Sequence, residues 1–75
     1  MSKPRRTLVI CVRNKGYLAS LELRKIYVSL SDVPAMKHGM VRVVDESGED
    51  YLYPSSMFIP VALPESARRA VLRAA

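Results

Sequence analysis

The stretch from Met40 to Pro54 constrains the fold of this chain most, because it has the pattern of a β-hairpin. Residues 40–44 are rich in β-branched valine and predict the first strand. Residues 51–53, two tyrosines around a leucine, predict the second strand. Gly48 lies in the acidic turn between them, where a hairpin needs a positive φ that residues with a Cβ resist. This pattern indicates a mainly β protein.

The length of 75 residues predicts a single domain. Cys11 is the only cysteine, so no internal disulfide can form and the chain has no cysteine–histidine cluster for structural zinc. A small fold without these supports is typical of a reducing cytoplasm. The apolar run at 8–12 is too short for a signal-peptide core or a membrane span. We therefore expect a cytoplasmic protein that does not enter a membrane.

The net charge of +5 is located at the two ends of the chain. Residues 1–6 carry +3 and residues 64–75 carry +2, so residues 7–63 are neutral overall. Within that body every base precedes position 43, and four of the acids lie between positions 45 and 50. The tails are therefore the part that would attract polyanions, whereas the body is dipolar.

The first half of the chain predicts two strands. Residues 1–6 predict a flexible basic arm, and residues 7–13 predict a strand that is buried on both faces. Residues 14–16 predict a turn. Residues 17–31 predict a long strand whose alternation slips at Arg24–Lys25, as it does at a bulge. The apolar spacing of this last segment also matches one face of a helix.

The second half adds the hairpin, another strand and a tail. Pro34 ends the preceding strand, and residues 35–39 predict a short loop or single helical turn. A turn at 54–56 precedes a last strand at 57–63, and Pro60 within that strand places it at a sheet edge.

The last segment, residues 64–75, predicts a C-terminal helix because alanine favours helix and the bases suit the C-terminal end of the helix dipole. Five short strands with short connections predict a small, five-stranded β-barrel over residues 7–63. We expect this barrel to be monomeric.

The segment Tyr53-Pro54-Ser55-Ser56-Met57-Phe58-Ile59 resembles the turn and last strand of a Src-homology-3 domain. The longer pattern is similar to a group of small bacterial proteins of unassigned function with a Src-homology-3-like barrel. Its residues are Cys11-Val12, Asn14, Gly16-Tyr17, Ser20-Leu21-Glu22, Lys25, Tyr27, Asp32, Arg42-Val43, Asp45 to Pro54 and Phe58. The resemblance implies a Src-homology-3-like barrel and no particular activity.

Two departures from the signalling Src-homology-3 domains bear on function. Those domains bind polyproline peptides in grooves lined by tryptophan and tyrosine. This chain has no tryptophan, and Met57 stands where the last tyrosine of the motif would be. These differences argue against binding of proline-rich peptides.

The chain offers little for catalysis. Nucleophilic catalysis needs a serine or cysteine with a base in reach. Cys11 lies in the most apolar strand, where a thiol is usually inert with a raised pKa, and His38 lies in a polar loop beside Lys37. We therefore predict that the protein is not an enzyme and that it uses no cofactor.

The acidic turn carries four carboxylates, Asp45, Glu46, Glu49 and Asp50. Their spacing does not follow a calcium-loop pattern, so we predict no metal site. A solvated turn that opposes edge-to-edge pairing is the simpler interpretation. One of these acids is expected to pair with a base across the sheet, and Arg42 and Lys25 are the candidates.

The tyrosines are the candidate binding residues, because tyrosine combines apolar area with a polar tip. If Leu52 points into the core, the rings of Tyr51 and Tyr53 face outward on the other side of their strand; the alternative is that they cover the barrel ends. The candidate partner-binding set is Tyr17, Tyr27, Asp45, Glu46, Glu49, Asp50, Tyr51, Tyr53 and Pro54. We predict a binding or adaptor module with a protein partner.

Two alternatives stay open from sequence. A weak, largely electrostatic nucleic-acid binder would use the basic tails with a patch formed by Arg13, Lys15, Arg24, Lys25, Lys37 and Arg42. Stacking tyrosines would assist, although they flank acids that repel phosphate. A component of a small toxin–antitoxin system is the second alternative.

Overall fold

The five strands form one antiparallel sheet in the order β4-β3-β2-β1-β5. A computed structural model describes residues 5–74, so most of the predicted basic arm lies outside the described residues. The elements are β1 (Arg6–Cys11), β2 (Ile26–Leu30), α1 (Val33–Lys37), β3 (Met40–Val44), β4 (Asp50–Pro54), a 3₁₀ turn (Ser55–Met57), β5 (Phe58–Pro60) and α2 (Glu65–Ala74). The prediction of a mainly β fold with five strands and a C-terminal helix is confirmed, with β4 and β5 at the two sheet edges.

The predicted hairpin is confirmed. Strands β3 and β4 pair in register from Met40 opposite Pro54 to Val44 opposite Asp50. Gly48 has φ +84°, the left-handed value that the turn requires. Its N–H donates to the carbonyl of Asp45 at 3.0 Å, which closes the turn.

The long strand predicted over residues 17–31 is wrong in its first half. Only Ile26–Leu30 is a strand, and residues 12–25 form a loop of successive turns. Arg24 has φ +63°, which a strand cannot accommodate, so the slip at Arg24–Lys25 marks the beginning of β2. In the loop the N–H of Leu21 donates to the carbonyl of Tyr17 at 2.9 Å, a local turn instead of a sheet ladder.

Proline and aspartate set two local boundaries. Asp32 caps α1, since its Oδ1 accepts from the N–H of Ala35 at 3.0 Å, and Gly39 with φ +69° follows the helix. Of the loop and the single helical turn predicted at 35–39, the helical turn is observed, but it begins two positions earlier, at Val33. Pro60 lies in edge strand β5 opposite Val9, as predicted for a residue that cannot donate to a ladder.

The core lies on one face of the sheet, here called the inner face. Its buried cluster consists of Val9, Cys11, Leu21, Tyr27, Val43, Tyr53 and Phe58. Leu21 comes from the loop at 12–25 and is fully buried, so that loop folds over the inner face. Three edge-to-face aromatic contacts cross this core, among them Tyr53 with Phe58 at 6.1 Å between ring centroids.

Helix α2 lies over the other face. Leu8 and Val28, which point away from the inner face, are nevertheless buried, with 3% and 7% of their surface exposed. Val71 of α2 lines a cavity together with Val28, and the guanidinium of Arg68 donates to the carbonyl of Arg6 at 2.7 Å. The C-terminal helix therefore contacts the sheet, although none of its described residues is buried.

The face of β4 that points into the core is not the one that carries Leu52. Tyr53 is 3% exposed and belongs to the core, whereas Leu52 is 41% exposed. The premise that Leu52 points into the core is wrong, because Tyr53 is the larger apolar side chain and its hydroxyl finds a buried partner. The alternative interpretation, in which a tyrosine closes one end of the core, describes Tyr53.

Candidate functional site

The loop at 12–25 and the acidic turn lie side by side. The N–H of Glu46 donates to the carbonyl of Ser20 at 3.0 Å, which joins the two segments. The side-chain amide of Asn14 donates to the carbonyl of Leu21 at 3.0 Å and holds the loop in shape. Loop and turn therefore form one continuous surface, although they are about thirty positions apart in sequence.

Tyr53 and Asp45 form the buried link between the hairpin turn and the core. The Tyr53 hydroxyl donates to Asp45 Oδ2 at 2.5 Å, and Ser47 donates to Oδ1 through its N–H and its hydroxyl. Asp45 is 7% exposed, so the prediction of a solvated turn is wrong for this residue. Burial opposes ionisation of Asp45, but the hydrogen bonds from Ser47 and Tyr53 outweigh it and lower its pKa. Burial, together with this bond, raises the pKa of Tyr53 to about 12.

Tyr27 makes a second tyrosine–carboxylate link. Its hydroxyl donates to Glu46 Oε2 at 2.6 Å and accepts from the N–H of Glu22 at 2.7 Å. The ammonium of Lys25 donates to the same Glu46 oxygen, so the expected pairing of a turn acid with Lys25 or Arg42 is confirmed. Hydrogen bonds from Lys25 and then Tyr27 lower the pKa of Glu46, while burial raises the pKa of Tyr27.

Arg42, the other candidate base, is also paired. Its guanidinium binds Asp32 at 2.9 Å and Asp50 at 3.0 Å, so it connects α1 to the hairpin. The N–H of Ala35 and then Arg42 lower the pKa of Asp32. Lys25 and Arg42 are therefore engaged by carboxylates of their own chain.

The outer rim of this region is exposed and partly aromatic. Tyr17 is 38% exposed, Tyr51 49% and Leu52 41%, and together with Ser47 they line a shallow depression. We call these four residues the tyrosine surface. The ring of Tyr17 packs edge-on against Tyr53, with centroids 5.0 Å apart, and the hydroxyl of Tyr51 donates to Glu49 at 2.8 Å. These contacts restrict the motion of both side chains, which stay partly exposed.

The structure brings together only part of the predicted binding set. Tyr27 and Tyr53 are buried and cannot offer their rings to a partner. Pro54 lies at the far end of β4, opposite Met40, away from the acidic turn. Sequence reasoning missed Ser47 and Leu52. The signal for Ser47 was its place between acids in a tight turn, where a hydroxyl commonly caps a carboxylate.

The predicted basic residues do not form one patch. Arg13, Lys15 and Arg24 lie in the loop at 12–25, whereas Lys37 lies on α1 between β2 and β3. The remaining two members, Lys25 and Arg42, are ion-paired. Within the described part of the chain, Arg13, Lys15 and Arg24 form no ion pair.

Cys11 and His38 occupy unrelated environments. Cys11 has no exposed surface, its Sγ donates to the carbonyl of Arg13, and burial raises the pKa of its thiol. His38 is exposed at the end of α1. Across residues 5–74, no group of three or more histidine, cysteine or acidic side chains is arranged to hold a metal ion.

Comparison of the chain with protein-family models, curated proteins and solved structures finds no match. Neither helix within residues 5–74 has the length and apolar content needed to cross a bilayer. The function of the chain is therefore inferred from its own geometry.

Proposed function

We propose that this protein is a small non-catalytic binding module that contacts a protein partner through the tyrosine surface. The observation that carries this proposal is that Tyr17 and Tyr51 are exposed and yet held by neighbours. A ring that is already fixed loses little rotational freedom on binding, so its contact area converts more fully into affinity. Tyrosine is also among the residues that contribute most energy in protein interfaces.

The surroundings of the tyrosine surface favour a partner segment that is apolar with some basic character. Leu52 supplies an aliphatic contact beside the rings, and Leu18 in the adjoining loop is 76% exposed. Glu49 is exposed at the rim, where its carboxylate accepts from Tyr51 and keeps its remaining oxygen free for a basic group. An edge-exposed aromatic and aliphatic cluster with an acidic rim is a common composition for such contacts.

The binding-module proposal includes a Src-homology-3-like barrel as its scaffold. The strand order, the long loop between β1 and β2, and the 3₁₀ turn before β5 support this architecture. In the proposal β4 and β5 curve toward one another around the inner face, and the loop at 12–25 covers one end.

The environments of Cys11, the candidate nucleophile, and His38, the candidate base, support a non-catalytic role. Cys11 is sealed in the core with its thiol engaged by a backbone carbonyl, and His38 is on the connection that follows β2. A thiol with a raised pKa and no base beside it carries little thiolate at neutral pH.

A selection experiment tests the proposal. A random peptide library displayed on phage is selected on the folded chain, and the selected peptides are measured against variants. We expect Tyr51→Ser to weaken binding about tenfold or more, as for a central aromatic contact. Tyr53 is unsuitable as a test position because its loss would disturb the core.

The matched control is Tyr51→Phe, which keeps the ring and removes only the hydroxyl. We expect it to keep most of the affinity, since the ring face supplies the contact area. Peptides that bind native chain and Tyr51→Ser equally well would contradict the proposal.

A nucleic-acid role is the second candidate, and one observation favours it. Arg13, Lys15 and Arg24 project from the loop that carries Tyr17, so cations and an aromatic ring lie on one segment. Single-stranded nucleic acid binds such combinations. Titration with mixed-sequence single-stranded RNA at low and physiological salt tests it. Saturable amide shifts in the loop that persist at physiological salt would support this function over the first.

A further inference from the structure

A groove lies on the inner face, apart from the tyrosine surface. It has a volume of about 420 Å³ and a mostly apolar lining, with Val9, Val41, Phe58, Pro60 and Met36 as its main walls. No member of the tyrosine surface lines it. Its size falls in the range of small-molecule sites, which are typically apolar clefts with a few polar groups.

Ser29 places a hydroxyl in this groove with no partner. Ser29 as a whole residue is 94% buried, since only 6% of its surface is exposed, and it lines the groove. It takes part in none of the side-chain hydrogen bonds observed within residues 5–74. Because the described structure leaves no fully buried polar side-chain atom unsatisfied, the hydroxyl must open onto the groove. A hydroxyl in such a place is available to a ligand.

The polarity of the groove changes in one direction along β1. Inner-face positions alternate along a strand, so Val9 is followed toward the start of the chain by Thr7 and then Arg5. The groove is therefore apolar at Val9, hydroxylic at Thr7 and its cross-strand neighbour Ser29, and cationic at Arg5.

One of the charged residues that line the groove is a cation without an ionic partner among residues 5–74. Its ionisable lining residues are Arg5, Asp32 and Arg42, which carry a net charge of +1. Asp32 and Arg42 are paired with each other at 2.9 Å. Arg5 is exposed and has no ion pair with any residue of the described range. The groove is thus complementary to a molecule with an apolar body and one negative group.

We propose that the inner-face groove binds a small amphipathic carboxylate. Its hydrocarbon part lies against Val9, Val41 and Phe58, and its carboxylate lies at the mouth, where Arg5 pairs with it and the Ser29 or Thr7 hydroxyl donates to it. A charge-assisted hydrogen bond from a guanidinium is the strong polar contact in such a site.

The test is an amide and methyl NMR titration of the full chain with decanoate below its micelle concentration. We expect saturable shifts at Thr7, Val9, Ser29 and Val41, with decanol binding more weakly and decyltrimethylammonium not binding there. Saturable shifts confined to other parts of the chain, equal binding of the cationic probe, or no saturable shifts would overturn the proposal.

Two arginine variants separate the site from general attraction of anions. Arg5→Gln should weaken decanoate binding by about fivefold to tenfold, the value expected for a charge-assisted hydrogen bond at a partly open site. Arg13→Gln removes an equal charge in the loop at 12–25 and should leave the affinity unchanged. Equal losses in the two variants, or none in Arg5→Gln, would overturn the assignment of the carboxylate to Arg5.

The free chain supplies one more check. If the methyl groups of Val9 and Val41 show nuclear Overhauser contacts to residues 1–4 without any ligand, the chain's own beginning fills the groove and the proposal is wrong. Contacts from these methyl groups to the decyl chain alone support it.

Discussion

Two neighbouring regions of the inner face differ in packing: large side chains fill one, and a groove is left in the other. Tyr27 and Ser29 lie two positions apart on β2 and point to the same face. Around Tyr27 the space is occupied by Leu21, Tyr53 and Phe58, and its hydroxyl is bonded twice. Around Ser29 the side chains are short, and a groove of about 420 Å³ is left. One sheet therefore carries a closed region and an open one, determined by side-chain length.

The closed region contributes mainly to stability, whereas the open region is the one suited to binding a ligand. The closed region buries large side chains and satisfies their polar atoms, which is where most of the free energy of folding should arise. The open region contributes less packing and keeps a hydroxyl without a partner. Substitutions in the two regions should therefore differ in their effect on the free energy of unfolding.

The largest effect is expected in the closed region at Leu21. Leu21→Ala removes a fully buried side chain and should lower the free energy of unfolding by about 2–4 kcal/mol. Leu18→Ala, three positions earlier in the same loop but 76% exposed, should change it by less than about 0.5 kcal/mol. Urea unfolding measures both. Equal losses would show that the loop does not fold over the core.

A smaller loss is expected at the tyrosine–carboxylate link. Tyr53→Phe leaves buried Asp45 without one of its hydrogen-bond donors and should cost about 1–3 kcal/mol of unfolding free energy. Tyr51→Phe removes the same atom from an exposed pair and should cost less than about 0.5 kcal/mol. Urea unfolding of the two variants compares them, and an unaffected Tyr53→Phe chain would mean that the link is not formed.

The two tyrosine–carboxylate links, Tyr53–Asp45 and Tyr27–Glu46, should give the protein an acid-dependent stability. The folded pKa values of Asp45 and Glu46 lie below their ordinary values of 3.8 and 4.5. Groups with a lowered folded pKa contribute stability that is complete above the ordinary value and is lost as pH falls through the folded value. Unfolding free energy should therefore be level from neutral pH to about pH 5 and decline below pH 4.5.

Tyr53→Phe checks the origin of this acid dependence. It removes one of the hydrogen bonds that lower the pKa of Asp45, so the decline should be shallower than in the native chain. Tyr51→Phe should keep the native profile. A native profile that stays flat below pH 4 would contradict the assignment of these pKa directions.

The smallest effect is expected in the open region. Ser29→Val fills part of the groove with apolar volume at a strand position and should raise the free energy of unfolding by up to about 1 kcal/mol. Ser31→Val, at an exposed position of the same groove, should leave it nearly unchanged. Thermal and urea unfolding report the change. A loss of more than about 1 kcal/mol at Ser29 would mean that the groove is closed in solution.

The parts of the fold that were predictable are those specified by local chemistry. Gly48 in the hairpin turn, Pro34 after the end of β2, and Pro60 at an edge each have a conformational requirement that is visible in the sequence. The pairing of a turn acid with Lys25 or Arg42 was also predictable, because the acids of the turn and these two bases have opposite charge.

The predictions that were wrong concern residues whose environment depends on contacts with residues distant in sequence. Leu21 and Leu23 alternate as in a strand, but the first is buried by the core and the second is 47% exposed in a loop. Asp45 looked like a solvated turn residue because its partner, Tyr53, is eight positions away on the other strand. The burial of Tyr53 also determines which face of β4 points into the core.

The groove was beyond sequence reasoning for the same reason. Thr7, Ser29 and Val41 come from three strands, and their meeting depends on two strand registers at once. Each of them alone looks like an ordinary strand residue. Only the register shows that the short side chains lie together.

The most direct measurement is an amide NMR titration of the full chain, at physiological salt, with a peptide chosen by selection on the folded protein. If the protein is a binding module of the kind proposed, shifts should be saturable, centre on Tyr17, Ser47, Tyr51 and Leu52, and vanish in Tyr51→Ser. Saturable shifts that instead centre on the inner-face groove or on α2, or that survive in Tyr51→Ser, would contradict the assignment of function to the tyrosine surface.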